Sequence, residues 1–308
     1  MAVITNGNID QAKLLLFEKN FEKIANQRDS KLLNTPAIKY MDIKGISNVS
    51  RLDSNELVDV TSQGRNPNKQ YVDMRNDNRK SIAKRLTATY LVDDYDKAVN
   101  LITDPTSYLF DNLKEAKSRA ADAFVAHVAT APVVIGAPDA AGTTVTAEDD
   151  GVITIDGKAK FDYKTVISPA ITAFTNNYID CSMGTTLAIS ASEEEALRND
   201  DYYMNAFYSK QNTVDKGAIT NASGFNVVTF AGSVNGGTEI EMPILKEESG
   251  VRTNLLLAPN SIAFAVEVGR LEIERAAGKV NSWEITIDMW LKGLRLQGAQ
   301  VIKILSTI

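Results

Sequence analysis

Residues 104–130 read DPTSYLFDNLKEAKSRAADAFVAHVAT, and this stretch sets the architecture of the chain. Asp104 can accept the free amide hydrogens at a helix start, and Pro105 fits the first helical turn without losing a hydrogen bond. From Leu109 onward apolar side chains recur at helical spacing, and no helix breaker occurs before Pro132. The pattern predicts one helix of about 26 residues that is roughly 39 Å long, which is longer than a small domain needs.

The chain on the N-terminal side of this helix is polar and indicates an extended ribbon. Within residues 47–95, two stretches of strand character, Glu56–Thr61 and Ser81–Val92, flank a turn-forming sequence at Gly64–Asn68. These features are typical of a two-stranded ribbon with a turn at its tip. Because an isolated hairpin is only marginally stable in water, we expect the ribbon to rest on another surface.

The ribbon differs from the rest of the chain in charge. From Arg65 to Arg85 it has seven basic and two acidic residues, a net charge of +5, whereas the whole chain of 308 residues carries −6. The remainder therefore carries −11, so the sequence indicates a positive arm on an acidic body. The overall charge balance argues against a polybasic nucleic-acid binder and against a disordered chain.

Weaker patterns predict the other elements of the chain. Before the ribbon they predict a helix that begins at Asn8 or Asp10 and ends by Asp29, and an extended stretch around Pro36 and Gly45. After the long helix they predict a Gly-rich insertion at 136–162 with a hairpin at Asp156–Gly157, a helix over Tyr163–Tyr178 that Pro169 can kink, a strand over Thr185–Ile189, and a short helix that begins at Ser192–Glu195. The C-terminal part has predicted strands at Gly217–Ile219 and Gly224–Val228, an apolar run at Leu255–Leu257, a predicted helix after Pro259, and predicted strands over Trp283–Leu291 and Gln300–Leu305.

The order of these parts resembles the Hong Kong 97-type shell fold of the major capsid proteins of tailed bacteriophages. Three stretches carry the likeness: RLTATYLVDDYD at 85–96 looks like the end of that family's E-loop, 104–122 is similar to the start of its spine helix, and 187–227 looks like its A-domain. The resemblance implies an α+β fold. Its implied parts are an N-terminal arm at 1–46, an E-loop ribbon at 47–100, a P-domain at 101–165 with the spine helix and an inserted hairpin, an A-domain at 166–255, and C-terminal P-domain strands at 256–308.

The resemblance also implies a function, that of a non-enzymatic major capsid protein. Its copies would self-assemble into the hexamers and pentamers of an icosahedral shell that encloses double-stranded DNA without sequence specificity. The implied location is the virion capsid, after assembly in the host bacterial cytoplasm, since the start MAVITNGNIDQAK lacks the order of a secretory signal. No segment before the arm looks like a built-in scaffold, so the expected partners are a separate scaffolding protein, a portal and decoration proteins.

The basic ribbon supplies the candidate contact residues. We predict that its side chains lie over acids of a neighbouring copy, because the ribbon needs a partner surface and the rest of the chain is acidic. The predicted contact residues are Arg65, Lys69, Arg75, Arg79 and Lys80, and their predicted partners on the long helix of the neighbour are Asp111 and Glu115.

The sequence gives no catalytic, cofactor or metal residues. One cysteine, Cys181, and one histidine, His127, exclude disulfide frameworks and zinc sites built on Cys and His pairs, and both residues are predicted to be packed structural side chains. The acidic runs at 93–96, 148–150 and 193–195 lack the calcium-loop pattern, so they are predicted to be solvated faces or helix caps. No apolar run of about 18 residues offers a membrane span.

Three alternatives stay open at this point. An encapsulin-type nanocompartment shares the fold but encloses protein cargo, and particle-associated DNA would distinguish the two. A metal-dependent α/β enzyme could use the carboxylate clusters, in which case a stoichiometric tightly bound ion is expected. A monomeric binding module would be compact in solution.

Overall fold

A computed structural model describes most of the chain. The described residues are 29–42, 48–52, 76–93, 105–136, 141–181, 184–201, 219, 221–230, 250–279 and 282–307. The helix predicted before Asp29, the strand predicted at Glu56–Thr61 and the turn at Gly64–Asn68 lie outside these residues.

Strands dominate the described part of the chain. They are β1 (Ile38–Tyr40), β2 (Asn48–Leu52), β3 (Asn76–Lys80), β4 (Ile82–Asp93), β5 (Val133–Ile135), β6 (Thr143–Val145), β7 (Ile153–Asp156), β8 (Thr186–Ser190), β9 (Asn221–Ala222), β10 (Phe225–Phe230), β11 (Val251–Leu257), β12 (Ile262–Arg275), β13 (Ser282–Arg295) and β14 (Val301–Thr307). The strands predicted at Thr185–Ile189, Gly224–Val228, Trp283–Leu291 and Gln300–Leu305 are thereby confirmed within one or two residues at most ends, β13 running on to Arg295.

The long helix predicted from the sequence is confirmed. It is α1 (Pro105–Thr130), and its 26 residues equal the predicted length. The predicted helix over Tyr163–Tyr178 is a π-helical turn (Tyr163–Ile167) that runs into α2 (Ser168–Asn176), with Pro169 at the junction. The remaining helices of the described residues are α3 (Ala191–Arg198), as predicted, and a short 3-10 turn (Gly298–Gln300).

The described strands form three sheets. The first has the order β1-β12-β13-β4, the second β7-β14-β11-β8-β10-β9, and the third β2-β3-β5-β6. In the second sheet β8 pairs parallel with β10 and antiparallel with β11, so it lies in the interior of the sheet. All five residues of β8 are buried, which is why this strand is a nearly continuous apolar run.

The chain divides into two compact units. The first contains residues 1–31, 84–122 and 266–291, and the second contains residues 32–83, 123–265 and 292–308. The core of the second unit is built on the six-stranded sheet, where α2 contributes Phe174 and α3 contributes Leu197 to the same buried cluster as Leu187, Leu256 and Ile302. Burying one such side chain stabilises a fold by about 1.5–3 kcal/mol, so this cluster is the main source of stability for the six-stranded sheet.

The C-terminal part of α1 lies very close to strand β13. A methyl group added at Gly293 would lie 2.7 Å from Cγ2 of Val128 and 2.9 Å from Cε1 of Phe124. The Phe124 ring also packs on Phe264 of β12, with ring centroids 6.3 Å apart. A glycine at 293 therefore lets the helix pack directly on the sheet.

The pairing of Glu56–Thr61 with Ser81–Val92 stays a prediction, because Glu56–Thr61 lies outside the described residues, whereas the prediction for the end of the chain is wrong. The strand predicted at Ser81–Val92 exists as β4, but its neighbour in the sheet order is β13, while the described ribbon pairs β2 with β3. The helix predicted after Pro259 is strand β12, because the β-branched and aromatic residues Ile262, Phe264 and Val266 alternate with alanines and the strand pairs with β1.

The predicted hairpin at Asp156–Gly157 is also wrong, because the described part of 136–162 belongs to two sheets. Strand β6 pairs with β5, and β7 pairs parallel with β14 instead of forming a hairpin at Asp156–Gly157. Gly157 donates its N–H to the carbonyl of Leu305 at 2.8 Å. A methyl group there would lie 2.9 Å from Val166, so Gly157 provides a close approach between elements instead of a hairpin turn.

The close approach at Gly293 gives a stability prediction. Gly293→Ala should lower the free energy of unfolding by roughly 1–3 kcal/mol, because the new methyl group overpacks the contact with α1. Adding Val128→Ala makes room for that methyl group and should recover part of the loss, as measured by chemical denaturation. Additive losses in the double variant would contradict the close packing.

Candidate subunit-contact surface

The second unit contains a buried cluster of Arg79, Asp150 and Arg295, which we call the arginine–aspartate node. Arg79, on β3, is only 1% exposed, and its Nη2 and Nη1 donate to the two carboxylate oxygens of Asp150 at 2.6 and 3.0 Å. Nε of Arg295, on β13, donates to Oδ2 of Asp150 at 2.9 Å. Nη1 of Arg79 also donates to the main-chain carbonyl of Arg295 at 3.2 Å.

Arg295 also closes the C-terminal end of the long helix α1. Its Nη1 donates to the carbonyl oxygens of Ala129 and Ala131 at 2.8 and 2.9 Å. These carbonyls have no partner within the helix, and a cation beside them is favoured by the helix dipole. Burial lowers the pKa of Arg295, and the hydrogen bond to Asp150 opposes this shift. One carboxylate and one helix end together balance two buried guanidinium groups.

The node corrects two predictions from the sequence. Arg79 is not an exposed contact residue of the ribbon, since its guanidinium is committed to Asp150 of the same chain. The acidic run at 148–150 is not simply a solvated face: Glu148 is exposed and pairs with Lys303 at 2.7 Å, but Asp150 is buried. The hydrogen bond from Lys303 lowers the pKa of Glu148.

The other predicted contact residues have different surroundings. Lys80 is half-buried at the end of β3, whereas Arg65, Lys69 and Arg75 lie outside the described residues. On α1, Glu115 is buried with 4% exposure, so it offers little surface to a neighbour and its predicted role is corrected. Asp111 belongs to α1, but its side chain is outside the described part.

A second buried ion pair corrects the prediction for the acidic run at 193–195. Glu193, at the start of α3, lies 3.2 Å from Nη1 of Arg252 and accepts hydrogen bonds from Ser306, at 2.6 Å, and from Ser190. Burial raises the pKa of the neighbouring Glu194, but hydrogen bonds from Thr229, the Ile219 backbone and Arg198 lower it by more. The first two acids of the run therefore hold α3 against β11, β14 and β10.

The lone histidine and cysteine differ in their surroundings. His127 is exposed in the last turn of α1, although every other residue from Ala121 to Ala129 is buried, so its predicted packing is wrong. Cys181 is partly buried against the core of the second unit, as predicted, and burial raises the pKa of its thiol.

The first unit presents an exposed surface on strands β4 and β13. Nη2 of Arg85 donates to Asp288 at 2.5 Å, and the Arg85 guanidinium lies 5.8 Å from the centroid of the Trp290 ring. The hydroxyl groups of Thr89 and Thr286 are 3.0 Å apart. We call this set the exposed strand surface: Arg85, Thr89 and Leu91 of β4 with Thr286, Asp288 and Trp290 of β13.

The exposed strand surface is the one candidate contact site that sequence reasoning missed. On β13 the alternate residues Ile285, Met289 and Leu291 are buried, so the opposite face, which carries Trp290, is turned to solvent. Trp290 is 42% exposed, and Trp and Arg are the residues that most often dominate the energy of protein interfaces. The alternation in Trp283–Leu291 predicted the buried face, and the tryptophan between its members was the available clue.

The described residues offer no sign of other chemistry. No three His, Cys, Asp or Glu side chains among them are grouped as a metal site requires. None of the described helices combines the length and the apolar character that crossing a membrane requires.

Comparison with protein-family models identifies one family for this chain. A family model described as phage capsid protein matches residues 9–308. None of the curated proteins is a significant match to the sequence.

Solved structures of bacteriophage particles resemble the chain in fold. The acid-stable capsid structure of Helicobacter pylori bacteriophage KHP30 has a TM-score of 0.63 at 8% identity and covers 94% of both chains. The head structure of Helicobacter pylori bacteriophage KHP40 has a TM-score of 0.62 at 9% identity and covers 88% of both. A structure from Mycobacterium phage Ogopogo has a TM-score of 0.58 at 13% identity and covers 99% of this chain and 100% of its own. At these identities the likeness shows the fold.

The arginine–aspartate node gives a prediction with a matched control. Asp150→Asn should lower the free energy of unfolding by roughly 3–5 kcal/mol, because it leaves two buried guanidinium groups without a full counter-charge. Asp149→Asn changes the adjacent, exposed acid and should have little effect. Equal losses in the two variants, measured by urea denaturation, would show that the node does not stabilise the fold.

Proposed function

Because this chain belongs to the phage capsid protein family, we propose that its copies form the hexamers and pentamers of an icosahedral shell around double-stranded DNA. The observation that carries the proposal is the family match over residues 9–308. The predicted role of a bacteriophage capsid protein is confirmed by this match, and the predicted Hong Kong 97-type α+β fold is confirmed by the solved structures. The family is structural, which points to a non-enzymatic role.

The exposed strand surface is the part of the described chain best suited to bind a neighbouring copy. It combines a half-exposed tryptophan with an arginine that already stacks on it, so burying both against a neighbour removes apolar area from water. The exposed Arg85–Asp288 pair contributes little to the stability of the isolated subunit. In the assembled shell this ion pair would orient the neighbouring copy. Because the same contact is repeated around a closed shell, even a small free energy per contact adds up.

The basic ribbon remains a second proposed contact. With Arg79 assigned to the interior, the proposed members are Arg65, Lys69, Arg75 and Lys80, facing acids such as Asp111 of a neighbour. The acidic remainder of the subunit also suits a container for DNA, because a strongly basic lining would hold the packaged DNA tightly. We further propose that a separate scaffolding protein and a portal take part in assembly, that decoration proteins can attach, and that assembly takes place in the host cytoplasm.

The enzyme alternative loses its main support in the described residues. The buried acids of its carboxylate clusters, Asp150 and Glu193, are ion-paired with arginines of the same chain. An arginine-paired buried carboxylate is a poor ligand for a divalent cation, since the cation would have to displace the guanidinium group.

One particle experiment tests the proposal. Particles purified from the infected or expressing bacterium should appear as closed shells in negative stain and, from infected cells, should protect genome-length DNA from nuclease. Shells that contain protein cargo and no DNA would favour the nanocompartment alternative. A protein that stays monomeric under all conditions that assemble related shells would contradict the proposal.

The exposed strand surface gives a separate assembly prediction. Trp290→Ser should reduce the yield of closed shells several-fold and leave the unfolding temperature of the subunit nearly unchanged, because the ring is already partly solvated. Tyr178→Ser removes another exposed aromatic residue, from the second unit, and serves as the control. Normal shell yield from the Trp290 variant would contradict the role of this surface, and so would an equal loss in the control.

A further inference from the structure

Asp122 is a buried acid on the long helix α1. Its side chain is fully buried, within a run of α1 where Ala121, Ala123 and Phe124 are buried too. A carboxylate in such a place is costly unless hydrogen bonds compensate for the lost water. The groups that donate hydrogen bonds to Asp122 therefore indicate its role.

Two of those donors come from the segment at the start of the described chain. The hydroxyl group of Ser30 donates to Oδ1 of Asp122, and the N–H of Lys31 donates to Oδ2 at 3.0 Å. Each carboxylate oxygen thus holds a group about ninety residues earlier in the sequence. Hydrogen bonds to a charged acceptor are roughly twice as strong as neutral ones, so two of them form an effective clamp.

Residues 32–40, which follow the clamp, are held by a series of hydrogen bonds and by strand pairing. Leu32 is buried, and its carbonyl accepts the N–H of Thr35 at 3.0 Å. The hydroxyl group of Tyr40 donates to the carbonyl of Leu33 at 2.9 Å, and the N–H of Asn260 donates to the carbonyl of Pro36 at 2.9 Å. Strand β1 then pairs with β12. Within the described chain, the contacts of Ser30 and Lys31 with Asp122 come first in this series.

We propose that Asp122 anchors the predicted N-terminal arm, because it fixes Ser30 and Lys31 on α1. The inference rests on the proposed function, the assembly of copies of this chain into a shell, and adds to it a contact between copies that the predicted N-terminal arm would supply. If the arm contacts a neighbouring copy, a fixed position for Ser30 and Lys31 keeps the geometry of that contact the same in every copy. Asp122 acts here as a positioning residue, through Ser30 and Lys31.

The clamp is tested first by limited trypsin digestion of the unassembled full-length subunit. Asp122→Asn leaves an amide that can accept through only one oxygen, so cleavage after Lys31 should become roughly tenfold faster or more, because cleavage tracks the fraction of locally opened chain. Ser30→Ala removes one donor and should give a smaller increase. Asp150→Asn is the matched control, since it also disturbs a buried acid but should leave cleavage after Lys31 unchanged at temperatures where the subunit is folded.

Shell geometry is the second readout, because a merely structural acid would alter stability and leave geometry intact. Ser30→Ala and Asp122→Asn should give fewer closed shells and a broader size distribution than the wild type in negative stain. Cleavage after Lys31 within twofold of the wild type, or normal shells from both variants, would overturn the inference. Failure of the wild-type protein to form shells would instead contradict the proposed function, so the two failures can be told apart.

Discussion

The structure depends on one electrostatic constraint: the buried carboxylate of Asp150 must sit between two arginines. Arg79 lies 71 residues before Asp150 and Arg295 lies 145 residues after it, so the node fixes three distant segments at one point. Charges this deeply buried are tolerated only when they are paired and hydrogen-bonded. The ribbon strand β3, the end of β13 and the C-terminal carbonyls of α1 are therefore held in a single arrangement.

Features that depend on a local pattern of residues could be predicted from the sequence, whereas contacts between distant segments, such as those of Asp150, could not. The helix α1, the strand β8 and the buried face of β13 depend on local periodicity, so their patterns were sufficient. The partners of Asp150 and Glu193 are set by contacts between distant segments, and nothing local distinguishes a buried acid from a solvated one. For that reason the sequence pattern placed Arg79 in the contact surface of a basic ribbon and predicted a hairpin at Asp156–Gly157.

Buried and exposed charges have separate roles in this subunit. The arginine–aspartate node and the Glu193–Arg252 pair fix the shape of the second unit. The exposed strand surface leaves Arg85 and Trp290 accessible on the first unit, where a neighbour can cover them. A shell needs both, because a rigid subunit repeats the same geometry and an exposed surface of modest affinity allows errors in assembly to be corrected.

The most direct test is a cryo-electron microscopy reconstruction of the assembled particle at a resolution that shows side chains. The account predicts that the ring of Trp290 is covered by a neighbouring copy and that the guanidinium of Arg79 remains on Asp150 of its own chain. A particle in which Trp290 faces solvent, or in which Arg79 pairs with an acid of another copy, would contradict it.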